Sequence, residues 1–113
     1  MEEIYMNQKH ICLAPFPFSD LSFEKIRPVL ILSNNEYNKN SSELIVCAIT
    51  SKLGKDYSIN ISSKDLQKGK LFKESSIKFD TLFKIEKSLL IKTIGKLKNK
   101  KFEKIKEKVL SLF

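Results

Sequence analysis

Residues 26–50 read IRPVLILSNNEYNKNSSELIVCAIT. Two apolar runs, PVLILS at 28–33 and ELIVCAIT at 43–50, flank a polar stretch from Asn34 to Ser42. Branched side chains crowd both runs. A side chain branched at Cβ is stiff and fits a pleated surface better than a helical turn, so each run predicts a strand. The second run is apolar without interruption from Leu44 to Ile49, the pattern of a strand buried on both faces. These two strands are expected at the centre of the fold.

Working outward, ICLAPF at 11–16 is short and apolar and closes on prolines. It predicts a first strand from His10 to Phe16, entering a loop that runs from about Pro17 to Ile26. Downstream, a turn over Lys52 to Asp56 precedes YSINI, which alternates as a half-buried strand does. After the connection SSKDLQKGK, the stretch LFKESSIKFD supplies another strand. Five strands in so short a span predict a small barrel. Residues 83–95, FKIEKSLLIKTIG, fit a turn of helix followed by a strand. In NKKFEKIKEKVLSLF, at 99–113, Phe102, Ile105, Val109 and Leu112 recur at spacings of three and four. This is the stripe of an amphipathic C-terminal helix, with Asn99 placed to cap it. Its lysines interleave with Glu103 and Glu107 and read as a solvated face.

A chain of 113 residues has room for one compact domain, expected to span 1–113. No apolar run approaches the roughly 20 residues that cross a bilayer, and the N-terminus MEEIYMNQKH lacks the basic-then-apolar layout of a secretory signal. A soluble, cytoplasmic protein is expected. Cys12 and Cys47 lie inside apolar runs and read as buried thiols. With one histidine and no CxxC pair, a zinc site is not expected. Charge is unevenly spread: residues 1–50 carry four cations and six anions, net −2, and residues 51–113 carry seventeen and seven, net +10. Such a basic half suits a polyanion, although a lysine-rich solvated surface has the same composition.

Of twenty-one cations, one is arginine, Arg27. A guanidinium is planar, stays charged and presents a fork of donors that matches two phosphate oxygens; a lysine ammonium is a point charge on a flexible stem. Pro28 biases Arg27 toward an extended conformation at the entrance to a strand. The residues alone support two readings, a phosphate clamp or a salt bridge to Asp20 or Glu24 that braces the loop.

The ordered set PFPFSDLS, then K-I-RPVLILSN, then IVCAITS about twenty residues on, resembles the MazF/PemK family of toxin endoribonucleases. GKLFKESSIKFDTLFKIEKSLLIKTIGKL is similar to the second half of that family, so the resemblance covers roughly residues 9–113. It implies a mainly β fold, an SH3-like small barrel with a C-terminal helix, and a symmetric homodimer whose groove binds single-stranded RNA. It further implies a type II toxin–antitoxin pair, in which an antitoxin with an acidic, disordered tail lies along the basic groove. Arg27 matches the arginine of the family's RP motif, and Thr50 the threonine closing its AIT strand. The implied reaction is attack of a ribose 2′-hydroxyl on the adjacent phosphate, leaving a cyclic phosphate and a 5′-hydroxyl, with no metal or cofactor.

Such chemistry needs a proton acceptor, a cation for charge building on the phosphoryl oxygens, and a proton for the leaving oxygen. A guanidinium holds its proton too tightly to act readily as a base, so Arg27 is assigned to electrostatic stabilisation. Thr50 can donate to a non-bridging oxygen or orient the 2′-hydroxyl, with Ser51 beside it, or it can merely satisfy a strand-end backbone group. Some members use an acid and a cation on the later strand, and Asp80 and Lys78 align with them. A spacing of two puts that pair on one face of a strand, the geometry of a phosphate site and equally of a surface ion pair. Ser19 and Asp20 are candidates to line the groove, and Phe16, Phe18 and Phe23 to stack on bases.

The chain departs from the family where many members open the first strand with Gly-Asp-Ile and this one reads Lys9-His10-Ile11. His10 reads as a strand-edge histidine. The glycine usual before the arginine is replaced around Phe23, which bears on substrate preference because loops on a rigid barrel carry recognition. A non-catalytic barrel that binds nucleic acid, or a protein target as gyrase-poisoning relatives do, is the rival reading.

Overall fold

The structure is a computed structural model and describes residues 4–15 and 25–113. Among these are seven strands: β1 (His10–Pro15), β2 (Ile26–Ile31), β3 (Glu43–Thr50), β4 (Ser58–Ile61), β5 (Leu66–Gly69), β6 (Ser75–Glu86) and β7 (Lys92–Leu97). Helix α1 (Asn35–Asn40) joins β2 to β3, and α2 (Asn99–Leu110) follows β7. The strands form one antiparallel sheet in the order β4-β6-β3-β2-β1-β7-β5.

β3 lies at the middle of that order and is buried on both faces, as its unbroken apolar run requires. Leu44 and Val46 point to one side with Val29, Ile31, Cys12, Ala14 and Ile85. Cys47 and Ile49 point to the other with Ile11, Leu30, Ile77 and Leu97. Ile61, from the β4 edge, and Leu66, from the β5 edge, both join this second cluster, so the sheet curls until its two edges share one core. Phe102 and Ile105 of α2 enter the same core. Register shifts in the β1/β7, β3/β6 and β5/β7 pairings supply the bends that curling needs. Both cysteines are buried and unpaired, and burial raises the pKa of each thiol.

Several expectations are corrected. β2 starts at Ile26, two residues before Pro28. The polar stretch after it contains α1, whose cap is Asn34: its side chain accepts the Tyr37 N–H at 2.8 Å. Buried Asn38 ties that helix down, its Nδ2 donating to Ser33 O at 2.9 Å and to Met6 O at 3.2 Å. SSKDLQKGK is not all connection, since it holds a 3-10 turn at 63–65 and the short strand β5. Phe83 and Ile85 belong to a long β6, and the only helical turn in the 83–95 stretch is a 3-10 turn at 87–89. Asn99 is the first residue of α2; Lys98 is the cap position and makes no side-chain capping bond. His10 is not at an edge, because β1 lies between β2 and β7.

Candidate functional site

Arg27 sits near the start of β2 and is half-buried, paired with Ala14 across the β1/β2 ladder. β2 and β3 pair Val29 with Ala48, Leu30 with Cys47 and Ile31 with Val46. Continuing this register by two residues brings Arg27 opposite Thr50. Across the next ladder Thr50 faces Ser76 and Ala48 faces Lys78, and beyond them Ser76 faces Asn60 and Lys78 faces Ser58. Residues directly opposite one another project from the same face of a sheet, so Thr50, Ser76, Asn60 and Lys78 share one surface. Arg27 continues their row.

Thr50 Oγ1 accepts the Lys52 N–H at 3.2 Å, which closes the strand into the following turn. Its own O–H has no acceptor among the described residues and remains free to donate. Ser76 is fully buried and donates to Asn60 Oδ1 at 2.6 Å. Lys78 Nζ is 3.9 Å from Asp80 Oδ1, and Thr81 Oγ1 lies 3.3 Å from the same oxygen. Residues 79–81 fall in the β3/β6 register jump, so Asp80 has no partner residue on β3 and stands out from the ladder, exposed.

Arg27 also contributes to the wall of a cavity of about 470 Å³. Leu13, Ile49, Leu71 and Ile94 provide apolar lining, and Lys25, Lys73 and Ser51 join Arg27 around it. Phe72, fully exposed, stands at the same cavity. The cavity thus gathers three cations, a hydroxyl and an exposed aromatic ring over an apolar lining. That combination suits single-stranded nucleic acid, in which phosphates seek cations and unstacked bases seek aromatic faces.

Arg27 and Ser51 both border the cavity; by register Arg27 shares the face of the sheet opposite Ile49 with Thr50 and Lys78, which with Asp80 lie outside the cavity lining. Ser19, Asp20, Phe16, Phe18 and Phe23 lie outside the described residues. Phe72, Ser76 and Asn60 were not singled out from sequence. Nothing in the spacing marks Ser76 and Asn60, since only the register of three strands makes them neighbours of Thr50; Phe72 carried the faint signal of an aromatic residue among Lys, Glu and Ser. Among the described residues no cluster of three or more His, Cys, Asp or Glu side chains is placed to hold a metal ion.

A curled antiparallel sheet packed against a C-terminal helix, with a cationic cavity beside its central strands, defines a small β-barrel protein. The chain belongs to the PemK-like, MazF-like toxins of type II toxin–antitoxin systems, whose family model matches residues 7–113. Among solved structures it is similar to the Mycobacterium tuberculosis toxin MazF-mt6, at 21% identity and TM-score 0.72, over 90% of this chain and 93% of that one. A MazE–MazF structure from Deinococcus radiodurans aligns at 18% identity and TM-score 0.74, over 96% of both chains. An endoribonuclease in complex with its cognate antitoxin from a mycobacterial species aligns at 15% identity and TM-score 0.71, over 93% of this chain and 91% of that one. Identities this low establish the shared fold. No curated protein matches the sequence.

Proposed function

We propose that this protein is a metal-independent endoribonuclease that cleaves single-stranded RNA, the toxin half of a toxin–antitoxin pair. The observation that carries the reading is the position of Arg27: it lies at a cavity with Lys25, Lys73 and exposed Phe72, and in register with Thr50. RNA lies with a base against Phe72 and the scissile phosphate at Arg27. The guanidinium fork holds the two non-bridging oxygens, and Thr50 donates its free O–H to one of them as negative charge builds. The 2′-oxygen forms its bond to phosphorus while the bond to the 5′-oxygen breaks. The 2′ proton passes to a base and the 5′-oxygen takes one up. Asp80, steadied by Lys78, is the carboxylate we assign to proton transfer. Ser51 contacts substrate at the cavity, and Ser19, Asp20 and Phe18 are assigned to the same groove from sequence.

The protein acts as a homodimer in the cytoplasm, as the family resemblance implies. Its antitoxin carries an acidic segment drawn to the basic groove, an attraction the +10 charge of residues 51–113 favours. Solved relatives described as toxin–antitoxin complexes support that partner.

The test is incubation of the purified protein with mixed-sequence single-stranded RNA in EDTA, beside Arg27→Ala, with fragment ends identified by mass spectrometry. Cyclic-phosphate ends from wild type alone are expected. Intact RNA, bound equally by both proteins, would make Arg27 a brace and the protein a binding barrel.

A further inference from the structure

Lys64 of the 3-10 turn, Lys98 at the entrance to α2, and Lys100, Lys101 and Lys104 on its first turns line another cavity, of about 460 Å³, together with Asp65. Five cations against one carboxylate leave these described residues a net charge of +4. That carboxylate is already engaged: Oδ2 accepts the Ser62 N–H at 2.9 Å, and Oδ1 lies 3.8 Å from Lys101 Nζ. Lys64, Lys98, Lys100 and Lys104 are exposed, and none of them pairs with an acid among the described residues.

This arrangement costs the free chain energy. Lys100 and Lys104 stand four apart on α2, where like charges repel. Lys98, Lys100 and Lys101 crowd the end of the helix at which its dipole disfavours cations, and the first turn holds no acidic residue. Farther along α2, Lys106 lies 3.3 Å from Glu103, the interleaving that a solvated face shows. The backbone around the cavity is fixed. Asp65 O accepts the Lys98 N–H at 2.9 Å and Asp65 N–H donates to Ser62 O at 3.0 Å, which ties the 3-10 turn to the start of α2. Phe102 and Ile105 anchor the other face of the helix in the core. The lysines can separate only by swinging their side chains, so the positive charge stays concentrated at one place.

We propose that this cavity binds a condensed phosphate, a chain of three phosphoryl groups either free as tripolyphosphate or as the tail of a nucleoside triphosphate. The site is separate from the Arg27 cavity, with which its lining shares no residue. A single phosphoryl group carries about −1.5 to −2 at neutral pH and leaves at least two of the four unpaired lysines unanswered. Three linked groups answer all four. Ammonium groups are point charges on flexible stems and adjust to successive phosphates along a chain, whereas a guanidinium fork suits one. The volume falls within the roughly 300 to 1,000 Å³ of small-ligand pockets. Among the described residues of the lining none is aromatic, so the site reads the charge of the chain and not a base attached to it.

Full-length protein is titrated calorimetrically with tripolyphosphate, ATP and orthophosphate, free of divalent metal and at one ionic strength. Tripolyphosphate and ATP are expected to bind alike, and orthophosphate about tenfold more weakly for the two ion pairs it forgoes, at about threefold each. Lys64→Gln combined with Lys104→Gln, one from each element, is expected to weaken tripolyphosphate about tenfold on the same footing. Two control pairs are expected to leave its affinity unchanged: Lys106→Gln with Lys108→Gln, on α2 outside the lining, and Lys25→Gln with Lys73→Gln, at the Arg27 cavity. Urea unfolding confirms that each variant folds, and tripolyphosphate is expected to raise the midpoint more in wild type than in the Lys64 and Lys104 variant. An equal loss in the Lys106 and Lys108 pair makes the attraction diffuse and overturns the site. A loss in the Lys25 and Lys73 pair moves binding to the other cavity and overturns it too. Orthophosphate as tight as tripolyphosphate overturns the condensed phosphate, and ATP markedly tighter than tripolyphosphate overturns recognition by charge alone.

Discussion

Arg27 carries the argument because a lysine cannot replace its geometry. If the fork holds two phosphoryl oxygens as charge develops, Arg27→Ala is expected to lower the cleavage rate on the order of 10²- to 10³-fold. Arg27→Lys keeps the charge and is still expected to lose most of that rate, read in single-turnover cleavage of one defined RNA. A fully active lysine variant would leave only a point charge to explain. Lys9 poses a different question, since it stands where many relatives carry glycine and its φ is 79°. A non-glycine residue in the left-handed region costs roughly 1–2 kcal/mol. Glycine returns about half of that through the entropy of the unfolded chain. The Lys9 ammonium, 5.9 Å from the centre of the Phe102 ring, recovers some of the rest. Lys9→Gly is therefore expected to stabilise the fold by about 0.5 kcal/mol, seen as a higher urea midpoint at unchanged slope. His10 gives a pH signature. Its folded pKa is depressed, so the unfolded chain binds the proton more readily. Its contribution is complete above about pH 6.5 and is lost as pH falls through the lower folded value. His10→Phe is expected to flatten stability across that acidic window.

Elements were legible in proportion to how much of their pattern is apolar. β3 occupies the residues that ELIVCAIT marks out, because burial on both faces leaves no competing period. β5 is four residues with one buried side chain, Leu66, followed by Gln67, Lys68 and Gly69, so no alternation announces it. Phe83 and Ile85 fit a helical spacing and a period of two equally well, and pairing with Val46 and Leu44 of β3 decides for the strand. α1 is polar in sequence, and what holds it is a set of side-chain bonds. Asn38 is the centre: it also accepts the Ser33 hydroxyl, and that hydroxyl oxygen in turn accepts the Ile45 N–H at 3.1 Å. Asn38→Ala leaves the Ser33 hydroxyl only the longer bond to Ile45 O, at 3.5 Å, and takes the side-chain donor from the Ser33 and Met6 carbonyl groups. A loss of about 2–3 kcal/mol is expected in urea unfolding, from the cost of unpaired buried polar groups. A change near zero would mean that water replaces the amide without penalty.

At the scale of the molecule, the candidate site was half legible. Arg27 and Thr50 stand out in one dimension, whereas Asn60, Ser76 and Phe72 reach them only through the register of four strands and the curl of the sheet. Charge divides in the same way. The net +8 says that a polyanion is welcome without saying where it sits. On and beside α2, Lys101 lies 3.8 Å from Asp65 and Lys106 3.3 Å from Glu103, so part of that charge is already answered by acids. At the cavity, Arg27, Lys25 and Lys73 come together in the lining. Binding of single-stranded RNA releases counterions, and the logarithm of affinity falls with that of salt by about 0.7 for each phosphate neutralised. Three cavity cations therefore predict a slope of about −2. Replacing Lys25 and Lys73 with Gln is expected to reduce it to about −0.7, while neutralising Lys100 and Lys104 on α2 leaves it in place. A wild-type slope steeper than about −4, or one that shrinks when the α2 lysines are neutralised, would make the whole basic half the binding surface and the cavity one part of it.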